Sequence, residues 1–93
     1  MKKIKTNTPL LDRKGEPLKE GDEPITIGLV ISNVLFGQVS NPHRGYQLGR
    51  KFAGEKDVEL RAEDIVYIKE QLEKAGLHAI IIGQAIEILE SGE

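Results

Sequence analysis

Residues 77–89 are the most apolar stretch of this 93-residue chain. Leu77, Ala79, Ile80, Ile81, Ile82, Ala85, Ile86, Ile88 and Leu89 nearly surround the helix that a 3.6-residue period makes of them. A chain of this length builds one small domain, which can cover only one or two faces of such a helix. Ile80, Ile81, Ile82, Ile86 and Leu89 point in several directions, and a large exposed apolar patch marks an interface. The expectation is therefore a homo-oligomer with those five residues in the contact.

The rest of the chain reads as three shorter helices and a polar N-terminal piece. Ile27, Val30, Ile31, Val34 and Leu35 recur at i, i+3, i+4, i+7 and i+8, with Thr26 as N-cap and Gly37 as stop. Asn41-Pro42 opens a second helix running to Phe52 or Ala53, since Asn can accept from the first free N–H groups and Pro needs no partner there. Residues 56–60 alternate polar and apolar as a short extended linker. A third helix follows over residues 62–75, with Ile65, Ile68, Leu72 and Ala75 inward, Glu63 and Asp64 near its positive end, and Gly76 as its C-terminal cap. Residues 77–89 are the fourth helix, with Leu77 folding back on the end of the third. Residues 1–23 are turn-rich: Asp12-Arg13-Lys14-Gly15 makes a turn in which Gly15 takes positive φ, with Ile4, Leu10 and Leu11 as anchors. Pro9 and Pro17 limit the flanking strands to short or edge pieces. The expected fold class is mostly α (α+β): a single domain over residues 1–93, with a β-hairpin or flexible arm over 1–23 and a core of four short helices over 24–93.

Charge is divided along the chain. Residues 1–23 hold six basic and five acidic side chains, residues 24–54 three basic and none acidic, and residues 55–93 four basic and ten acidic. The net charge of −2 supplies no global positive field, which disfavours non-specific nucleic-acid binding. With no cysteine, disulfides and thiol ligation are excluded, and nothing argues for an oxidising compartment. No run approaches the roughly 18 apolar residues that span a bilayer, and Thr6, Asn7, Thr8, Pro9 and Asp12 interrupt any signal-peptide pattern. These readings place the protein in the cytoplasm, away from the membrane.

Catalytic signatures are weak. His43 and His78 lie on different predicted helices with no third ligand at a convincing spacing, so no metal is expected. The carboxylates of residues 63–73 alternate with Lys69 and Lys74 as on a solvated helical face. There is no GxGxxG, P-loop or GxSxG pattern, and no cofactor is expected. One segment does argue for binding. Along the second helix His43, Tyr46 and Arg50 fall at i, i+3 and i+7, beside Arg44, Gln47 and Lys51, with no acid nearby. With the helix N-terminus they form a platform for an anion or a nucleotide phosphate, Tyr46 being placed to stack on a base. The competing arrangement half-buries Tyr46 in the core and pairs the basic groups with the acidic third helix of the same or a neighbouring chain. Gly45 and Gly49, four apart on that helix, each cost about 1 kcal/mol of helix propensity, which the close approach of another backbone or a ligand would offset.

Lys-Ile-Lys-Thr-Asn-Thr-Pro-Leu-Leu-Asp near the start, Gly15-Glu16-Pro17, Ile25-Thr26-Ile27-Gly28, Val58-Glu59-Leu60 and Ile82-Gly83-Gln84-Ala85 together resemble small proteins of tailed bacteriophages and prophages. The resemblance covers nearly the whole chain and departs at Arg61, where an Asp or Asn cap is expected. It implies no activity, cofactor or catalytic residue. What it implies is a non-enzymatic accessory protein in the bacterial host cell, binding a host factor, a phage protein or a small phosphorylated ligand. The alternative is a virion-assembly protein, such as a tail-assembly chaperone or minor structural component, that holds its partner through the apolar C-terminal helix.

Overall fold

In the computed structural model, which describes residues 2–37, 39–54 and 56–91, the chain passes through β1 (Lys2–Lys5), β2 (Lys19–Glu20), β3 (Glu23–Pro24), α1 (Ile27–Leu35), α2 (Pro42–Gly54), β4 (Asp57–Leu60), α3 (Ala62–Lys74) and α4 (Ala79–Ser91). The class is the expected one, mostly α with a small antiparallel β element. Two departures concern how that β element is made.

β1 does not fold back on its neighbours as a hairpin. It pairs antiparallel with β4, with Lys3 opposite Glu59, Ile4 opposite Val58 and Lys5 opposite Asp57. Residues 57–60, expected as a linker, are therefore a strand. The register has a physical reason on each face: Ile4, Val58 and Leu60 are buried, while the exposed lysines stand directly across from carboxylates, and a slip of one residue would exchange the two faces. The hairpin expected around residues 12–15 does form, as a separate feature. Gly15 has φ 82°, the Asp12 carboxylate accepts from the Lys14 and Glu16 N–H groups at 2.8 and 3.0 Å, and Leu11 bridges Pro17. Leu10 and Leu18 then link this turn through backbone hydrogen bonds to Ile25, so the segment is tied to the core and does not hang free as an arm.

That segment also completes α1. The Ile27 and Gly28 N–H groups donate to the Thr8 and Thr6 carbonyls, both at 2.9 Å, and the Thr26 hydroxyl accepts from the Leu29 N–H at 3.3 Å. Donors that a helix start leaves unpaired are thus used within the chain. Of the expected stripe, Ile27, Ile31 and Leu35 are buried, and Val30 and Val34 are half-buried. It meets Ile4, Leu10, Val58, Leu60, Ile68, Leu72 and Leu89 in one core. Burying each such side chain stabilises the fold by about 1.5–3 kcal/mol.

α1 and α2 cross where α2 has no side chains. A Cβ on Gly45 would stand 2.6 Å from Val39 Cγ2 and 2.9 Å from the Leu35 carbonyl oxygen, and one on Gly49 would stand 2.8 Å from the Phe36 ring. The propensity cost of both glycines is offset by this contact within the chain. α3 ends one residue earlier than expected: Ala75 is its C-cap and is exposed, not inward, and Gly76 follows with φ 73°. α4 begins at Ala79, so Leu77 and His78 precede it, and the His78 carbonyl accepts from Ile81 and Ile82. Gln84 fastens α4 to the N-terminal segment, its carboxamide accepting from the Leu11 N–H at 2.7 Å and donating to the Leu11 carbonyl at 2.6 Å.

Candidate functional site

The buried side of α2 carries Gly45, Leu48, Gly49 and Phe52, and its opposite side carries His43, Gln47, Arg50 and Gly54. Arg44 and Lys51 flank that outer side towards β4 and α3, and Tyr46 flanks it towards the end of α1. All five residues expected in the platform, His43, Arg44, Tyr46, Arg50 and Lys51, line one open groove of about 1180 Å³, whose far wall includes Glu59, Arg61 and Asp64.

Tyr46 is 53% exposed, so it is not the half-buried core residue of the competing arrangement. Its ring lies 6.2 Å from that of Phe36, tilted by 50°, and the Arg50 guanidinium stands 5.7 Å from the Tyr46 centroid. Two exposed aromatics and a cation thus adjoin on the surface. Arg50 and Lys51 form no ion pair among the described residues.

Arg44 is engaged differently, and here the competing arrangement holds. Its guanidinium donates to Asp64 at 2.8 Å and lies 4.7 Å from the centroid of the Tyr67 ring. The Asp64 side chain is only 11% exposed, and it also accepts from the Arg61 N–H at 3.2 Å. Arg61 lacks the side-chain oxygen of an ordinary N-cap, so Asp64 supplies the carboxylate half of a capping box. Burial by itself would raise the Asp64 pKa. The hydrogen bonds from Arg44 and the Arg61 backbone, with the charges of both arginines, outweigh it and hold the carboxyl below its ordinary value.

Asp64 is the first of three polar residues at i, i+3 and i+7 on α3 that fix the start of α2. The Tyr67 hydroxyl donates to the Ser40 carbonyl and lies 3.2 Å from the Asn41 carbonyl, and the Gln71 carboxamide oxygen accepts from the Ser40 N–H at 3.1 Å. Burial pushes the Tyr67 pKa above its ordinary value despite the nearby Arg44 charge. Between these contacts Asn41 turns through φ 55°, a left-handed conformation that Asn tolerates better than most residues. Sequence reasoning missed Tyr67 and Gln71, although their spacing from Asp64 was there to be counted.

The five isoleucine and leucine positions expected at an oligomer contact are divided. Leu89 is fully buried in the chain's own core. Ile81, Ile82 and Ile86 are half-buried, and Ile80 is 37% exposed. Among the described residues no three His, Cys, Asp or Glu side chains cluster so as to hold a metal ion, and no helix is long and apolar enough to cross a membrane. Compared with protein-family models, curated proteins and solved structures, the chain matches none.

Proposed function

We propose that this protein acts by binding, without catalysis, and that the outer side of α2 receives the phosphate of a nucleotide or another phosphorylated ligand. One observation carries the reading: on a helix without a single acidic residue, Tyr46 stands exposed beside Arg50, with His43 and Lys51 in the same groove. Arg50 and Lys51 supply charge to phosphate oxygens, and Tyr46 with Phe36 offers a surface on which a base stacks. Arg44 serves the fold through Asp64 and contributes only its field. In the phage setting that the sequence resemblance implies, such a protein is an accessory factor in the host cytoplasm that captures a phosphorylated signal or a host factor.

A thermal-shift series of nucleotides and cyclic oligonucleotides tests this, with the unmodified chain and the double variant Arg50→Ala, Lys51→Ala. At least one ligand is expected to raise the melting temperature of the unmodified protein. The variant should bind it at least about tenfold more weakly, equivalent to about 1.4 kcal/mol, while melting at nearly the same temperature without ligand. If no ligand stabilises the unmodified chain, the phosphate reading falls.

A second reading has its own observation: α4 leaves Ile80 exposed on one flank and Ile82 and Ile86 half-covered on the other. On that reading the chain is a homo-oligomer, or a virion-assembly protein that holds its partner on α4. Light scattering after size exclusion separates the possibilities, since a monodisperse 10.3 kDa species at tens of micromolar removes the oligomer.

A further inference from the structure

A second concavity lies between α1 and α4 above the C-terminal half of α3, and it shares no residue with the basic groove. Its volume is about 580 Å³, within the roughly 300–1,000 Å³ typical of small-molecule sites. Leu29, Val30 and Val34 of α1 face Ile81 of α4 across it, and the apolar lining is aliphatic throughout. No acidic residue lines it among the described residues, and its one charge is the Lys74 ammonium. Gln71 is part of the same lining and is only 2% exposed.

The Gln71 carboxamide has a defined orientation, because its oxygen accepts from the Ser40 N–H and the nitrogen must therefore be the other atom. That nitrogen, Nε2, is the one buried side-chain polar atom without a hydrogen-bond partner among the described residues. An unpaired buried donor is costly, and a ligand oxygen brought to it recovers that cost. Asn33 is the remaining polar side chain of the lining; aliphatic walls, a single cation and the unused buried donor together suit a molecule with an apolar chain and an anionic end.

We propose that this groove binds an unbranched aliphatic monocarboxylate. The hydrocarbon lies along Leu29, Val30, Val34 and Ile81, and the carboxylate lies between the Lys74 ammonium and an N–H of Gln71. Nε2 is covered from solvent, so the carboxylate meets the Lys74 ammonium first and reaches the amide only as the groove adjusts around it. The site is independent of the phosphate reading of α2, and either can fail without the other.

Decanoate and the uncharged decanol are the probes, titrated into the isotopically labelled full chain while backbone and side-chain amide resonances are followed. Decanoate is expected to saturate below about 1 mM and decanol to bind about tenfold more weakly. Perturbations should be confined to the groove lining and should include the Gln71 side-chain amide, shifted as a new acceptor arrives. The exposed Lys74 should be replaceable in Lys74→Met without loss of the fold, and this variant should bind both probes alike. Absence of saturation in this range overturns the proposal. So does equal binding of the two probes by the unmodified chain, an unmoved Gln71 amide, or shifts centred on Ile80 and Ile86.

Discussion

α2 and α4 are helices of thirteen residues, and each contains glycine, yet glycine does opposite things in the two. In α2 the absence of side chains at Gly45 and Gly49 lets Leu35, Phe36 and Val39 approach the helix backbone. In α4 a Cβ on Gly83 would meet nothing within 4 Å. The propensity loss is the same in both, about 1 kcal/mol per residue, so only α2 offsets it by contact within the chain. α2 is also fixed at its start by the polar stripe of Asp64, Tyr67 and Gln71, whereas α4 is fixed by Ala85, Leu89 and the hydrogen bonds of Gln84 to Leu11. α2 thus displays a basic surface, whereas the exposed side of α4 carries Gly83, Glu87 and Glu90 with Ile80 at its edge.

The largest test of that contrast is steric. Gly45→Val puts a branched side chain where even a Cβ stands 2.6 Å from Val39 Cγ2 and 2.9 Å from the Leu35 oxygen. Overpacking of this kind costs about 2–3 kcal/mol and lowers the melting temperature of a domain this size by about 10–20 °C. A variant that melts with the unmodified chain would break the comparison, because α1 and α2 could not then be in such close contact.

The polar clamp comes next. Arg44→Met keeps much of the stacking on Tyr67 but leaves Asp64, mostly buried, with the exposed Arg61 guanidinium at 3.6 Å as its remaining cation. The guanidinium itself is about one-third exposed, so the expected loss is about 1–2 kcal/mol, at the low end for hydrogen bonds to charged groups. Its pH dependence has a definite sign. A carboxyl whose pKa is lower in the folded chain contributes stability that is complete above the unfolded value, near 3.9, and is lost as pH falls through the lower folded value. The gap in stability between the unmodified chain and Arg44→Met should accordingly be widest near neutrality and shrink as the medium becomes more acid than the ordinary Asp range. Acid titrations followed by circular dichroism measure it, and a gap that persists unchanged to low pH would show that Asp64 is not the group concerned.

Tyr67→Phe is expected to cost less, about 0.5–1.5 kcal/mol, since it removes one hydroxyl that serves the Ser40 and Asn41 carbonyls while the ring remains under Arg44. Urea unfolding gives the number. In the unmodified chain the raised Tyr67 pKa also means stability that is present below the unfolded value, near 10, and lost as pH rises through the folded one. The phenylalanine variant should lack that alkaline loss, and finding it undiminished would separate the hydroxyl from the clamp.

What the sequence made legible was local. The stripe from Ile27 to Leu35, the Thr26 cap, the Gly15 turn, the Asn41-Pro42 start and the Gly76 stop each follow from residues within one or two turns of each other, and each is present. The pairing of β1 with β4 spans more than fifty residues. Residues 57–60 carry too short an alternation to indicate their partner, although Lys3 and Lys5 matched against Glu59 and Asp57 contain the charge complement. The periodicity of α3 carries an inward face on to Ala75, but the helix closes at Lys74 and the turn at Gly76 leaves Ala75 exposed at the C-cap. The basic residues of the α2 groove were visible as a run without acids. Their division was not, because whether Arg44 faces Asp64 or solvent depends on how α3 lies beside α2, a tertiary relation that no spacing within α2 encodes. Leu89 likewise reads as part of the all-round apolar surface of the fourth helix but fills the core, since apolarity around a whole helix does not say which side the remaining chain covers.

The smallest effect has the opposite sign to the first and bears on α4. Gly83→Ala should stabilise the chain by about 0.5–1 kcal/mol, because alanine gains helix propensity and its Cβ enters open space. The melting temperature should rise by about 2–8 °C. Measured at two protein concentrations a hundredfold apart, the gain should be the same if that side of α4 faces water in every molecule. If a second copy packs against it, the added methyl meets a neighbour as the concentration rises, and the gain shrinks or reverses because dissociation is coupled to unfolding. A concentration-independent rise would confirm that the two helices differ as described, α2 seated through its glycines and α4 carrying one that nothing contacts. A loss confined to high concentration would assign Gly83 the same role as Gly45, with the approaching surface supplied by another chain.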